Sequence, residues 1–258
     1  RAKVVAIVHA ETSTGVLQPL EEISRLTHAS DALLLVDAVT SLGGCPVAVD
    51  DWGIDFCYSA TQKCLGAPSG LAPITVSPKA MDVLRNRTTK NHSWYLDISL
   101  LESYWSDSRA YHHTAPILMN YALREALRII HEEGLEARFR RHQTNGLALQ
   151  SGLEAMGLKL HAQPEHRLSV LTSVRIPEGV DDLRVRRALL DEHNIEIGAG
   201  LGELRGKVWR IGLMGHSSST ENIVLFLNSL EHLLSREGWH CEPGVGVAEA
   251  LRVLSYND

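Results

Sequence analysis

The sequence predicts an α/β protein, with a large unit on a mainly parallel sheet and a smaller α/β unit towards the C-terminal end. Three observations carry this. Short strand-like runs, such as Val4-Val5-Ala6-Ile7-Val8, alternate with helical spacing and polar loops in the first half of the chain. Leu33-Leu34-Leu35-Val36 is apolar at successive positions, the pattern of a strand covered on both faces. From Pro116 the texture changes to two long helical stretches, followed by a second series of strands and helices.

Taken in order, the strand over 4–8 runs into the polar loop His9 to Gly15. A helix is expected over 21–29, where Ile23, Leu26 and Thr27 recur at helical spacing. Strands follow over 33–36, 55–58 and 71–76. Helices are expected over 117–133 and 135–156, broken near Gly134 and stopped by Gly157. The smaller unit reads as strand 168–176, helix 181–193, strand 194–198, a Gly-rich loop, strand 207–213 and helix 219–236. Ser218 with Glu221 three positions on forms a capping box for that last helix. The expected division is 1–135 for the large domain and 136–258 for the small one, with the tail from Gly238 wrapping onto the surface.

Composition narrows the function. The 258 residues are 44% hydrophobic, which excludes a disordered chain, and no apolar run approaches the ~20 residues that span a bilayer. Asp and Glu outnumber Lys and Arg by 31 to 25, so broad nucleic-acid binding is not expected. Cys45, Cys57, Cys64 and Cys241 show neither a CxxC pair nor zinc spacing, which fits a reducing, cytoplasmic setting.

Two residues stand where chemistry is expected. Asp37 directly follows the 33–36 run, at the strand end where open parallel sheets place their ligands; the alternative is a carboxylate that caps a loop. Lys63 lies in Ser59-Ala60-Thr61-Gln62-Lys63-Cys64-Leu65-Gly66, a stretch with no other charge; the alternative is a surface lysine in a turn. A lysine away from counter-charges loses its proton readily and suits Schiff-base chemistry. Pyridoxal phosphate needs that amine for its aldehyde and a carboxylate for its ring nitrogen.

Five motifs extend the pattern: Glu11-Thr12-Ser13-Thr14-Gly15, Leu35-Val36-Asp37-Ala38-Val39-Thr40-Ser41-Leu42-Gly43-Gly44, Ser59 to Lys63, Tyr111-His112-His113-Thr114 and Trp209-Arg210-Ile211-Gly212-Leu213. In this order they resemble the class V aminotransferases, in the alanine–glyoxylate and serine–pyruvate (serine–glyoxylate) branch. The likeness covers nearly the whole chain. It implies the fold-type I architecture of pyridoxal-phosphate enzymes, a homodimer with sites at the subunit interface, and small amino acids and 2-oxo acids as substrates. By the same resemblance Lys63 carries the Schiff base and shuttles the proton. Asp37 pairs with the ring nitrogen, Val39 packs on the ring face, and Thr12 bonds the phenolic oxygen. Gln62 helps bind the phosphate, Tyr111 and Thr114 reach the phosphate of the neighbouring subunit's cofactor, and Arg210 clamps the substrate carboxylate. Family members also carry an N-terminal segment with a phosphate-binding turn and a stacking aromatic ring, which this chain is expected to lack.

The rival readings are an incomplete, non-catalytic fragment, a 2-aminoethylphosphonate aminotransferase and a cysteine desulfurase. Desulfurases place a His directly before the lysine, where this chain has Gln62. His112-His113 is read as structural rather than as a metal site, and the Gly198-Gly200-Gly202 series as a connecting loop rather than a phosphate cradle. Arg138, Arg140, Arg141 and His142 read as a solvated or subunit-facing helix surface, and Cys64 as packing rather than a nucleophile.

Overall fold

The computed structural model describes residues 2–107 and 109–256. β1 (Val4–Val8) leads into a two-stranded hairpin of β2 (Ala10–Glu11) and β3 (Val16–Leu17), whose turn carries Thr12. α1 (Glu21–Ala29) then crosses to β4 (Leu33–Asp37), which pairs parallel with β1 in the register Val8↔Asp37. β5 (Phe56–Tyr58) adds parallel to β4, with Asp37 opposite Tyr58, and β6 (Ile74–Val76) closes the sheet antiparallel to β5. The order β1-β4-β5-β6 sends the carboxyl ends of β1, β4 and β5 to one edge of the sheet.

One face of this sheet is packed. Leu34 and Val36 are buried with Leu20, Ala38, Ile54 and Cys57, and Val5, Ile7, Ile23 and Trp52 close around them. The other face is covered only in part by the described residues. Val4, Leu33, Leu35, Phe56 and Val76 line a hollow of about 1420 Å³, and α2 (Pro78–Arg85) reaches it with Ala80 and Val83. The uniformly apolar run therefore alternates in burial, because α1 and the 46–54 loop both pack on the same side.

α3 (Ile98–Trp105) precedes α4 (Ile117–Glu133), and Gly134 at φ +81 separates that helix from α5 (Leu135–Ala155). Beyond them, β7 (Leu171–Arg175), β8 (Gly198–Ala199) and β9 (Val208–Gly212) form an antiparallel sheet in the order β7-β9-β8. α6 (Asp182–His193), α7 (Thr220–Arg236) and α8 (Val245–Ser255) complete the smaller unit. Its core joins Leu149 and Leu153 of α5 to Trp209 and Ile211 of β9, Leu227, Leu230 and Leu234 of α7, and Val253 of α8. The indole N–H of the buried Trp209 donates to Asp182 Oδ1 at 2.9 Å, which satisfies its one polar atom.

Four local expectations change. The 71–76 strand begins only at Ile74, after Pro73, which has no N–H to give a ladder. The 194–198 strand shrinks to Gly198–Ala199, because Ile195 N–H turns back to the Leu189 carbonyl and closes α6. The cap of α7 is Ser219, which accepts from Asn222 N–H; Ser218 accepts from Asn145 Nδ2 instead. The tail is not a surface wrap but a helix, α8, seated on α5 and α7.

Candidate active site

Asp37 ends β4, and its own loop and the next strand fix its carboxylate. Val39 N–H donates to Oδ1 at 2.8 Å and the Tyr58 hydroxyl donates to Oδ2 at 2.7 Å. Each oxygen keeps acceptor capacity towards the strand-end edge. The bond to Asp37 pushes the Tyr58 hydroxyl up to about 12, so it stays a donor at any working pH. Tyr58 was not among the residues singled out by sequence. No sequence signal marks it; the register that sets it opposite Asp37 comes from the fold.

Lys63 sits on a tight turn that leaves the same edge after β5. Thr61 holds the turn by donating Oγ1 to the Pro68 carbonyl at 2.6 Å, and Gly66 N–H returns to the Lys63 carbonyl at 2.9 Å. The next residue ties this turn to the loop after Asp37, because Cys64 Sγ donates to the Thr40 carbonyl at 3.1 Å. Lys63 is half-buried, and no ion pair of its amine is found among the described residues. Burial pushes the Cys64 thiol up to about 12, so it is a protonated packing group rather than a nucleophile.

Arg210 reaches the site from the other sheet. Its Nε donates to the Ala199 carbonyl at 2.7 Å and Nη1 to the Thr12 carbonyl at 3.3 Å, which leaves the rest of the fork for a ligand. The Thr12 turn is itself pressed on β7. Gly15 has φ +74, and a Cβ there would come within 3.0 Å of Ser173 N, so only glycine fits. His9 steadies the loop beyond Asp37 through a 2.9 Å bond between Nδ1 and Ser41 Oγ, and burial lowers this ring to about 4.

The sequence-derived residues thus divide into two groups. Thr12, Asp37, Val39, Lys63 and Arg210 lie on segments that are bonded to one another around the strand ends, with Gln62 exposed beside Lys63. Tyr111 and Thr114 lie elsewhere: Tyr111 is 78% exposed, and its hydroxyl meets Thr114 Oγ1 at 3.0 Å. The adjacent His112 is stacked on Trp94, with ring centroids 4.1 Å apart. The reading of the Arg138–His142 cluster as a solvated surface is corrected. Arg138 is 2% exposed and His142 fully buried; only Arg140 is exposed. They continue the inward stripe of Asn145, Leu149 and Leu153 along α5, a spacing that was visible in the sequence.

The mainly parallel sheet thus carries a doubly held carboxylate and a lysine turn at its strand ends. Residues 1–210 match the family model Aminotransferase class-V, and the chain belongs to that family. Among its relatives, the (S)-ureidoglycine–glyoxylate transaminase of Bacillus subtilis is 44% identical over 98% of this chain. The alanine–glyoxylate aminotransferase of Rattus norvegicus is 42% identical over 91%. The crystal structure of ureidoglycine–glyoxylate aminotransferase from Bacillus subtilis superposes with a TM-score of 0.95 at 47% identity, over 98% of this chain and 65% of its own. That of pyridoxamine–pyruvate aminotransferase from Mesorhizobium loti gives 0.94 at 32% identity, over 99% of this chain and 65% of its own. The chain spans 65% and 57% of the length of the two curated relatives. These matches establish the fold-type I architecture, and the family implies pyridoxal phosphate. The donor set suits that group: an acceptor carboxylate for a protonated ring nitrogen, an amine with no ion pair among the described residues, and a guanidinium with donors to spare.

Proposed function

We propose that the full-length protein transfers an amino group from a small amino acid, alanine or serine, to a 2-oxo acid, glyoxylate or pyruvate. The observation that carries this reading is the pairing of Asp37, held on both oxygens, with the Lys63 turn bonded to its loop. Glyoxylate is favoured as acceptor because the names of both curated relatives share it. Ureidoglycine, in the name of one of them, joins alanine and serine as a donor to be compared.

Pyridoxal phosphate, when bound, supplies a ring that withdraws electrons from the substrate α-carbon. With the group bound, Lys63 would hold its aldehyde, and the freed Nζ would be the base that takes the proton from the substrate α-carbon and returns it. Asp37 would keep the ring nitrogen protonated through a charge-assisted bond, and Val39 would lie against the ring. Thr12 Oγ1 serves the phenolic oxygen and Gln62 the phosphate. Tyr111 and Thr114 serve the phosphate of a second subunit's site in a homodimer, in keeping with their exposure here. Arg210 orients the substrate carboxylate with its planar fork. The division into a large domain over 1–135 and a small domain over 136–258 belongs to the same proposal, as does a cytoplasmic location.

The test is a pair of half-reactions on the full-length protein loaded with pyridoxal phosphate. L-alanine or L-serine bleaches the near-visible band, glyoxylate restores it, and Lys63→Ala abolishes both changes. A band that none of the donors alters would contradict transamination. Arg210→Ala should weaken donor binding by about 1.5–3 kcal/mol, and unchanged donor affinity would remove Arg210 from the site.

A further inference from the structure

We propose that Arg138 is a positioning residue for the lysine, holding the Lys63 turn against the loop that follows Asp37. The inference rests on the cofactor reading above. Its basis is a single buried guanidinium whose donors go three ways. Nε donates to the Gly43 carbonyl at 2.9 Å, Nη2 to the Cys64 carbonyl at 2.7 Å, and Nη1 to Glu133 Oε2 at 2.6 Å. Gly43 lies on the loop that begins at Asp37, and Cys64 directly follows Lys63. A planar fork is rigid, so Arg138 fixes the separation of those two carbonyls from α5, beside the Cys64–Thr40 bond that joins the same turn and loop, and with it the placing of the amine relative to the carboxylate.

The charge is compensated at the site. Glu133, the last residue of α4, accepts from Arg138 and also from Arg141 Nε at 2.6 Å. Arg141 Nη1 in turn donates to the carbonyls of Gly215 at 3.1 Å and Ser218 at 2.6 Å, on the turn that follows β9. His142 completes the clasp: Nε2 accepts from Gly215 N–H at 3.0 Å, while Nδ1–H donates to the Arg138 carbonyl at 2.8 Å. Those two bonds require the neutral Nδ1–H tautomer. The segments bearing Asp37, Lys63 and Arg210 therefore meet at the first turns of α5. A lysine at 138 would keep the charge near Glu133, but a single ammonium has no flat fork to span both carbonyls.

The experiment compares Arg138→Lys, Arg138→Gln and the exposed, charge-changing control Arg140→Gln in the full-length protein with pyridoxal phosphate. Two readouts are taken beside thermal unfolding: the pH midpoint of the near-visible band, and the rate at which borohydride fixes the cofactor to Lys63, read by peptide mass. Arg138→Lys is expected to fold, to move the midpoint by about half a pH unit or more, and to slow fixation roughly fivefold, with Arg138→Gln further displaced. Arg140→Gln is expected to leave both unchanged. A wild-type midpoint and rate in both Arg138 variants, even with lowered thermal stability, would reduce Arg138 to a structural clasp and overturn the proposal. Failure of the wild type itself to fix cofactor at Lys63 would sink the cofactor reading and this inference with it. If the Arg138 variants do not fold, hydrogen exchange of the wild type decides. The amides of Cys45, Gly66 and Ala67 should open together as one unit with the start of α5, and independent opening would overturn the proposal.

Discussion

Asp37 has two donors of different kinds, one from its own loop and one from the next strand. Val39 N–H comes with the backbone and cannot be removed without remaking the loop, whereas the Tyr58 hydroxyl is a side chain that substitution can delete. Tyr58→Phe should therefore leave the fold intact and cost about 1.5 kcal/mol of carboxylate orientation, roughly a tenfold loss of pyridoxal phosphate affinity in a binding titration. An unchanged affinity would mean that Val39 alone suffices. At this scale the sequence was informative where a residue sits inside a contiguous motif, as Thr12, Asp37, Lys63 and Arg210 do. It was silent where the partner comes from another strand, as with Tyr58. It misled where charge suggested solvent: Arg138 is buried because its donors find Glu133 and two backbone carbonyls.

Element boundaries followed the same logic. α1, α4 and α5 start and end close to where apolar spacing and Gly134 put them, because those signals are local. α8 was illegible, since Pro243-Gly244-Val245-Gly246 reads as an irregular tail. Packing supplies what the local sequence withholds. A Cβ at Gly152 of α5 would lie 2.7 Å from the Gly246 carbonyl, and one at Gly246 would lie 2.7 Å from Met156 Sδ. The paired glycines let α8 approach α5 closely, so Gly246 serves contact rather than flexibility. Gly246→Ala should lower stability by about 1–3 kcal/mol through overpacking, read as a reduced urea midpoint with an unchanged slope. No change would mean that the two helices can separate slightly without loss.

For the whole molecule, two buried imidazoles link stability to pH. Burial lowers both His9 and His142 from 6.5 to about 4; at His142 the bond to the Arg138 carbonyl and the Glu133 charge favour the charged ring, while the Arg141 and Arg138 guanidinium charges oppose it. Because the folded-state values lie below the unfolded ones, the neutral rings stabilise fully above pH 6.5, and that contribution is lost as pH falls towards 4. At about 1.4 kcal/mol per pH unit, each ring accounts for about 3 kcal/mol over that window. Urea midpoints should fall steeply between pH 6.5 and 4, and His142→Gln should flatten part of that slope; a pH-independent midpoint would contradict the burial argument. The alternating burial of the β4 strand within this chain is the other feature that the sequence did not reveal. Leu33 to Val36 looks alike on both sides, and only the packing of α1 distinguishes them.

The central claim is that Lys63 is the amine that takes the cofactor, and one measurement addresses it most directly. The full-length protein is incubated with pyridoxal phosphate, reduced with borohydride, digested, and its peptides weighed. The account predicts a reduced pyridoxyl addition on the peptide containing Lys63, blocked by Lys63→Ala. Addition spread over Lys3, Lys79, Lys90, Lys159 and Lys207 at the same level, or none at all, would contradict it.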